Sequence, residues 1–420
     1  MSGTRKAIVV GAGIGGLTTA LFLHRAGIEV EIYESVKTLK ELGVGINLLP
    51  HSVRILWDLG LQDALDQSGI RTKDLSYYNK FGQLIWREAR GLEAGYNWPQ
   101  YSIHRGRLQG ILLREVKRVI GEHRLHTGMH LSHVEQRNNK VQAHFLNRHH
   151  GQRPETAEAD FLIGADGIHS ALRKQLYPDD KPVYGGRILW RGVTKAKPFL
   201  SGWSMIMAGY VDEKFVAYPI TAPDASGLCD INWIAELTVP EAPDRNDWNR
   251  LANLDDFAHR FQDWKFDWLD VPALIAGAEY VYEFPLVDKD PLPKWSFNRV
   301  TLLGDAAHPM YPIGSNGASQ AILDAEALYQ AILEHSNIEE ALIAYEQQRL
   351  HKTAAIVHSN RRHGPEIVMQ IVHERAPNGF ERLEDVISQA ELEEIAERYK
   401  QIAGFDKESL NRLKQVKVGQ

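Results

Sequence analysis

Directly after a short apolar run, Lys6–Val10, and before a helix-like stretch over residues 17–25, the chain carries Gly11-Ala12-Gly13-Ile14-Gly15-Gly16. No other segment restricts the fold as much. Gly11 lets the chain turn tightly off a strand, Gly13 lets the backbone approach a pyrophosphate, and Gly16 lets helix and strand pack closely. A second apolar strand over residues 29–33 follows and ends in Glu34, so the whole reads as a βαβ unit. The helix entered near Gly15 would point its positive end at a diphosphate. Glu34 then stands where a carboxylate accepts hydrogen bonds from a ribose; the competing reading is a solvated charge at a strand end.

A glycine fingerprint alone is weak evidence, because any tight turn can satisfy it. Its weight comes from a second segment far along the chain, Gly304-Asp305-Ala306-Ala307-His308-Pro309-Met310-Tyr311-Pro312, followed by Gly314-Ser315-Asn316-Gly317. Asp305 follows the strand-like Val300-Thr301-Leu302-Leu303, and its carboxylate can accept hydrogen bonds from a polyol such as the ribityl chain of a flavin. The alternative use is as a helix N-cap. Pro312 and Gly314 stiffen and open a loop before a helix entered at Gly317-Ala318, whose amides and dipole would stabilise negative charge on a reduced flavin ring. Together the two segments read as holding opposite ends of one flavin dinucleotide. A third element, Gly164-Ala165-Asp166-Gly167-Ile168-His169-Ser170 with Arg173 one turn on, reads by itself as a turn and helix cap. Arg105 opens another helix, where it could neutralise a phosphate or form a surface salt bridge.

Composition narrows the function classes. The 420 residues are 44% hydrophobic and 24% charged with a net charge of -6, so a large core is feasible and no basic field exists for nucleic acid. A single cysteine, Cys229, excludes an internal disulfide and a dithiol redox centre. Redox chemistry must therefore come from a bound cofactor. The apolar stretch over residues 7–23 is interrupted by glycines and threonines and leads into the βαβ pattern, so it is read as a strand and helix and not as a signal peptide. No run approaches a membrane span. A soluble cytoplasmic protein with a small-molecule partner, no nucleic acid and no membrane is expected, as a monomer or homodimer. No paired Cys/His spacing or H-E-x-x-H occurs among the histidines, so no metal site is expected.

Helical periods fall at residues 52–59, 105–120 and 319–335, and from residue 338 onward, with an amphipathic tail over 381–400. Strands are expected at 126–135, 141–145 and 160–164. From about residue 181 to 282 the texture becomes aromatic and alternating, as in Phe215-Val216-Ala217-Tyr218, which points to an inserted, mostly antiparallel sheet. The expected fold is α/β: a discontinuous Rossmann-like FAD-binding domain over 1–75, 100–180 and 280–360, a β-sheet substrate domain over 76–99 and 181–279, and a C-terminal helical segment over 361–420.

The three motifs, in this order and at these spacings, resemble the single-component FAD-dependent aromatic hydroxylases, the p-hydroxybenzoate hydroxylase-like family, over about residues 6–360. The resemblance implies that Gly11, Gly13, Ile14, Gly15, Gly16, Glu34 and Ser35 hold the ADP half of FAD, with Gly45 and Arg105 reaching it. Asp166 would serve FAD and the nicotinamide, Asp305 the ribityl chain, and Pro312, Gly314, Asn316, Gly317 and Ala318 the flavin end. It further implies that NADH or NADPH reduces the flavin from a groove without its own Rossmann domain. Oxygen then adds to give a flavin C4a-hydroperoxide that hydroxylates an electron-rich ring, with or without decarboxylation. Within the family, Leu42-Gly43-Val44-Gly45-Ile46-Asn47, Trp190-Arg191-Gly192-Val193, Asp290-Pro291-Leu292-Pro293 and residues 316–324 are most similar to the 5-methylphenazine-1-carboxylate 1-monooxygenase branch. That sets an aromatic or N-heteroaromatic carboxylate of phenazine type as the favoured substrate, with NADH favoured; salicylate- or 3-hydroxybenzoate-type phenolic acids are the alternative. Pro312 and Tyr218 are the candidate catalytic wall, and Trp190, Met207, Tyr218 and Trp233 the candidate substrate pocket, beside Met205, Phe215 and Ala217. The Trp-x-Trp-x-Ile-Pro segment of flavin-dependent halogenases is missing from Trp264-Lys265-Phe266-Asp267-Trp268. A non-catalytic flavin- or prenyl-binding escort is the reading from another class, and it would have no use for a charge-stabilising loop at the flavin.

Overall fold

In the computed structural model, which describes residues 5–41, 43–242 and 250–413, Lys6–Val10 lies at the centre of a six-stranded sheet. It pairs in parallel with Glu29–Glu34 on one side and Phe161–Gly164 on the other, with the helix Ile14–Arg25 crossing between the first two. Leu125–Thr127 and Val300–Leu302 extend the sheet in parallel, and Ser296–Phe297 closes one edge antiparallel. Ala7, Ile8 and Val9 are fully buried, as a strand covered on both faces requires. The helices Arg105–Val119 and Gly317–Glu334 both pack on Ile14–Arg25. Leu42 and the C-terminal residues 414–420 lie outside the described residues.

The glycines of the turn divide its labour. Gly11 has φ +104, and a Cβ there would come 2.3 Å from the Ala165 carbonyl oxygen. A Cβ on Gly16 would come 2.0 Å from the Gly11 oxygen. A Cβ on Gly13 would meet nothing within 4 Å, because that residue faces open space. The strand expected over 126–135 is two strands, because Gly128 at φ +72 turns the chain. Leu125–Thr127 stays in the parallel sheet, and Met129–Arg137 joins Lys140–Asn147 and Arg153–Ala159 in a separate antiparallel sheet. The amphipathic tail is helical over Gln389–Ala403, capped by the Ser388 side chain accepting from the Glu391 amide.

The aromatic region forms an eight-stranded sheet in the order Arg250–Leu251, Ala278–Lys289, Pro182–Ala196, Cys229–Thr238, Glu213–Pro219, Ser204–Tyr210, Asp74–Tyr78, Leu84–Ala89. All its pairings are antiparallel except that of Ser204–Tyr210 with Asp74–Tyr78. Alternation along each strand separates its two faces. One face carries Ile188, Trp190, Phe215, Ala217, Trp233 and Ala235 into a closed core with Phe257, Phe261 and Trp264. The other carries Leu189, Arg191, Met205, Met207, Lys214, Val216, Tyr218, Ile234 and Glu236 to a cavity. Trp190 and Trp233, expected in the pocket, therefore point away from it. Trp190 stacks on Phe257 at 4.7 Å and Trp233 donates to Thr194 Oγ1 at 2.9 Å. Phe215 and Ala217 are on the same hidden face. Among the described residues, no helix is long and apolar enough to cross a membrane.

Truncating a core aromatic of this kind costs about 3–5 kcal/mol. Trp233→Ala should lower the urea midpoint of the purified protein accordingly while leaving ligand-induced flavin spectral changes in the folded fraction intact. A variant of unchanged stability with lost ligand response would return Trp233 to the pocket.

Candidate active site

A cavity of about 320 Å³ lies where the two large sheets meet, and its walls come from both. From the parallel-sheet side come Gly13, Ile14, Gly15, Arg105, Ala165, Gly167, Asp305 and Pro312, together with Asn316, Gly317 and Ala318. From the antiparallel sheet come the residues of the cavity face described above. Of the expected cofactor residues, Gly11, Gly16, Glu34, Ser35, Asp166 and Gly314 are not in the cavity lining. Gly11 and Gly16 make the tight packing of the turn. Glu34 accepts from the Ala12 and Val36 amides, each at 2.7 Å, and from the Ser35 hydroxyl at 3.2 Å. These bonds fix its carboxylate at the end of the strand.

Two helix N-termini open on this space without side-chain caps and without an acidic residue in the first turn, those of Ile14–Arg25 and Gly317–Glu334. Free amides at a helix start attract anionic groups. A Cβ on Gly317, as on Gly13, would meet nothing within 4 Å. Asp166 caps the helix Ala171–Leu176 through the Ala171 and Leu172 amides, yet its Oδ1 is buried with no hydrogen-bond partner among the described residues. Burial raises its carboxyl above the ordinary value, against the pull of these hydrogen bonds. The Asp305 side chain projects into the cavity. Enclosure raises its carboxyl, opposed by His308 and Arg105. Two open glycine cradles, two uncapped helix starts and an orphaned acceptor suit a ligand with phosphates at one end and hydroxyls along its length, which is the chemistry of FAD.

What holds the Gly304–Gly317 loop was not read from sequence. Asp324, fully buried, accepts from the Gly304 amide at 3.0 Å, His308 Nε2 at 2.5 Å and Arg349 Nε at 2.7 Å. Arg349 Nη2 also donates to Gln320 Oε1 at 2.6 Å. Gln320 Nε2 donates to Asn316 Oδ1, Asn316 Nδ2 to the Tyr399 hydroxyl at 2.9 Å, and that hydroxyl lies 3.1 Å from Asn360 Oδ1. Tyr399 comes from the helix Gln389–Ala403 and packs against Gly314, whose φ is +67; a Cβ there would lie 1.9 Å from the phenol oxygen. Arg173 Nη1, also fully buried, donates to the carbonyls of Ala306 and Ala307. The only available signal was the recurrence of polar Asn316, Gln320 and Asp324 every fourth residue along a buried helix.

The antiparallel wall carries charges that sequence reading also missed. Lys214 Nζ contacts Glu236 at 2.9 Å and Glu366 at 2.5 Å, and Arg187 Nη1 contacts Glu236 at 2.7 Å. Despite the cost of burial, these partners raise the Lys214 amine and lower the Glu236 carboxyl, so both stay charged. Arg191 Nη2 donates to the Gly45 carbonyl at 2.9 Å, and the Gly45 amide donates to Asn232 Oδ1 at 2.7 Å. A Cβ on Gly45, which begins a strand (Gly45–Leu48) of a separate three-stranded sheet, would come 2.8 Å from Tyr218 Cε2, so that strand meets the eight-stranded sheet backbone to side chain here. Burial pushes the Tyr218 phenol up to about 12 against the pull of Arg191, and it remains a protonated donor. No metal site was expected, but His133, Glu135 and His144 on the small antiparallel sheet bring their ligand-type atoms within 4.8 Å of one another.

The comparisons agree with this geometry. Residues 4–228 and 287–360 match the family described as FAD binding domain. The chain is 44% identical over 84% of its length, and 88% of the relative's, to the phenazine 1,6-dicarboxylic acid hydroxylase PhzS of Lysobacter antibioticus. It is 30% identical over 85% of its length to the 6-hydroxynicotinate 3-monooxygenase of Pseudomonas fluorescens, covering 90% of that protein. Its fold matches Klebsiella pneumoniae HpxO complexed with FAD and uric acid, with a TM-score of 0.75 at 24% identity over 96% of this chain and 97% of that one.

Asp324→Asn should leave His308 and Arg349 short of a buried counter-charge, a loss of about 3–5 kcal/mol. Despite burial, His308 and Arg349 hold the Asp324 carboxyl at about 2, below its ordinary 3.8. A depressed folded-state value stabilises above the unfolded value and is lost as pH falls through the folded one. Wild-type stability should thus fall from about pH 4 towards pH 2 more steeply than that of the variant, measured by thermal unfolding across that range. Parallel pH profiles would contradict this role.

Proposed function

The chain belongs to the FAD-binding-domain family of single-component aromatic hydroxylases, and on that premise we propose that it hydroxylates an N-heteroaromatic carboxylate of phenazine type with NADH as reductant. It is an FAD-dependent aromatic monooxygenase. The observation that carries the finer reading is the apolar part of the cavity lining, Met205, Met207, Val216, Ile234 and Leu189 together with Pro312 and Ile313. Such a slot suits a flat fused ring system more than a small phenol. The 44% identity to a phenazine hydroxylase over most of both chains supports the same class. The phenolic-acid reading keeps support from the 29% identity to 3-hydroxybenzoate 6-hydroxylase 1 of Aquipseudomonas alcaligenes.

In this proposal Gly13, Ile14, Gly15 and the first amides of their helix bind the diphosphate, while Glu34, fixed by Ala12 and Val36, meets the adenosine ribose. Arg105 adds a positive charge, Asp166 offers its orphaned Oδ1, and Asp305 accepts from ribityl hydroxyls. The amides at Gly317 and Ala318 stabilise charge on the flavin ring. Bound FAD supplies the reduction of oxygen by NADH and the transfer of one oxygen atom to the ring. The chain's own task is positioning. Pro312 and Tyr218 orient the ring from opposite walls, and the protonated Tyr218 hydroxyl donates to an oxygen of the substrate. The apolar floor excludes water. A cytoplasmic monomer or homodimer is the proposed setting.

Anaerobic bleaching of the bound flavin by NADH tests this reading. Phenazine-1-carboxylate or its N-methyl betaine should accelerate bleaching more than salicylate or 3-hydroxybenzoate; the reverse order would favour the phenolic acids. Asp305→Ala should stay folded and bind FAD about tenfold or more weakly, the loss of one hydrogen-bond set to a charged acceptor. Full FAD occupancy and turnover in that variant would remove the ribityl assignment.

A further inference from the structure

The small antiparallel sheet of Met129–Arg137, Lys140–Asn147 and Arg153–Ala159 has two unlike faces. Leu131, Val134, Val141, Ala143 and Phe145 are buried in the core shared with the parallel sheet. The other face is polar, and one part of it brings together chemistry that the flavin site does not use. His133 pairs with His144 across the strands, His144 with Thr156, and Glu135 follows two residues after His133 on the same face. Ligand-type atoms of His133, Glu135 and His144 all lie within 4.8 Å of one another. Each of these side chains also has one polar atom held from outside the cluster. His144 Nδ1 lies 3.2 Å from Thr156 Oγ1, His133 Nδ1 lies 3.2 Å from Ser132 Oγ, and Arg137 Nη2 lies 2.8 Å from Glu135 Oε2. Of the atoms that remain, Glu135 Oε1 lies 3.8 Å from His133 Nε2. His144 Nε2 is buried with no hydrogen-bond partner among the described residues.

The plain reading of the pair is a cross-strand stack, since the two imidazoles have centroids 4.2 Å apart and planes 5° from parallel. A stack alone leaves the His144 Nε2 lone pair buried and unmet, which is costly for a polar atom. A cation meets it. We infer that His133 Nε2, His144 Nε2 and Glu135 Oε1 form a binding site for a divalent cation of the zinc class, with a fourth position open to water. When each Nδ1–H donates to its hydroxyl, the Nε2 lone pair is the one left to bind. Outer partners of this kind fix the tautomer and orientation of metal-ligating histidines, and Arg137 does the same for the carboxylate. Two imidazoles and one carboxylate suit zinc and its neighbours, whereas calcium and magnesium prefer oxygen ligands throughout. Tetrahedral bonds of zinc length put ligand atoms about 3.3 Å apart, so the cluster needs to close by roughly 1.5 Å at most. Rotation about the soft terminal torsions of the side chains supplies that, with the backbone unmoved. His133 is exposed, which gives the ion a way in. None of the three ligands lines the flavin cavity, so the site stands independently of the proposed oxidation chemistry.

The test is a titration of tag-free FAD holoenzyme, stripped of metal beforehand, with zinc ion in competition with a chromophoric chelator at neutral pH. One zinc per chain should bind at micromolar free metal, with the flavin absorbance unchanged. Thr156→Val, which removes the hydroxyl beside His144 Nδ1, should weaken binding by about 10–100-fold, the usual effect of losing an outer partner. Glu135→Gln and the double variant His133→Ala, His144→Ala remove ligands outright and should weaken it by at least as much. Cobalt(II) in place of zinc should show visible bands of a four-coordinate nitrogen and oxygen site, absent from the double variant. FAD content and melting temperature are recorded throughout; if the double variant does not fold, Thr156→Val and Glu135→Gln decide. No zinc uptake by the wild type at micromolar free metal overturns the inference. So does uptake that is unchanged in folded, FAD-replete variants, and so does zinc that shifts the flavin spectrum equally in wild type and variants, which would place the ion in the cavity.

Discussion

A carboxylate with no exposed surface survives only where opposite charges and hydrogen bonds offset its desolvation, and Asp324 meets that condition from three directions at once. Its oxygens accept from the Gly304 amide and the His308 ring, both in the Gly304–Gly317 loop, and from the Arg349 guanidinium of the helix Ile338–Arg361. Through Gln320, Asn316 and Tyr399 the same bonding continues to both ends of the flavin loop. The loop itself is thin and rich in glycine, with Gly304 at φ +61 and Gly314 at φ +67. Such backbone has little intrinsic preference for one shape. Its shape is imposed from behind, by a buried polar chain in which every member depends on its neighbours.

This dependence explains what was legible in the sequence and what was not. The parallel sheet, its glycine turn and the helix that follows could be read because each is set by local pattern: an apolar run, residues tolerant of unusual φ, and a period of 3.6. The antiparallel insertion was equally visible as alternation. Which face of it met the cavity was not, since register parity is decided by partners distant in sequence, and an error of one residue reverses every side chain. Trp190 and Trp233 were drawn into the pocket by their size, although size favours the core just as strongly. The signal that would have corrected this was charge: Lys214 and Glu236 lie on the same parity of their strands as Val216 and Ile234. A buried charge marks the side where it can find a partner. For Asp324 and Tyr399 the pairing runs between helices, and no local pattern announces it.

The seam between the sheets has its own logic. Gly45 gives its amide to Asn232 and its carbonyl to Arg191, and it has no room for a side chain against Tyr218. Both backbone groups of one residue in the Gly45–Leu48 strand are thus held by side chains of the eight-stranded sheet. This contact fixes the Gly45–Leu48 strand against the antiparallel sheet, while the position of Asp305 and Gly317 follows from the buried network behind their loop. In chemistry where the cofactor supplies the reactive atom, small errors of position cost more than the loss of any single side-chain contact.

The C-terminal helix enters the same argument. The matched family region ends at residue 360, yet Tyr399 is buried among Asn316, Asn360 and the Ile313 carbonyl, and Gln320 donates to the Ala403 carbonyl. Glu366, just beyond that limit, bridges Lys214 of the substrate wall towards the Gly314 amide. The residues from Glu366 to Ala403 therefore touch both the Gly304–Gly317 loop and the charges on the cavity face of the antiparallel sheet. Lys214 is charged because Glu236 and Glu366 surround it, so removing the segment would leave a buried cation short of one partner and a glycine loop short of its backing. The segment therefore contributes Glu366 to the cavity lining and with it the second carboxylate partner of Lys214.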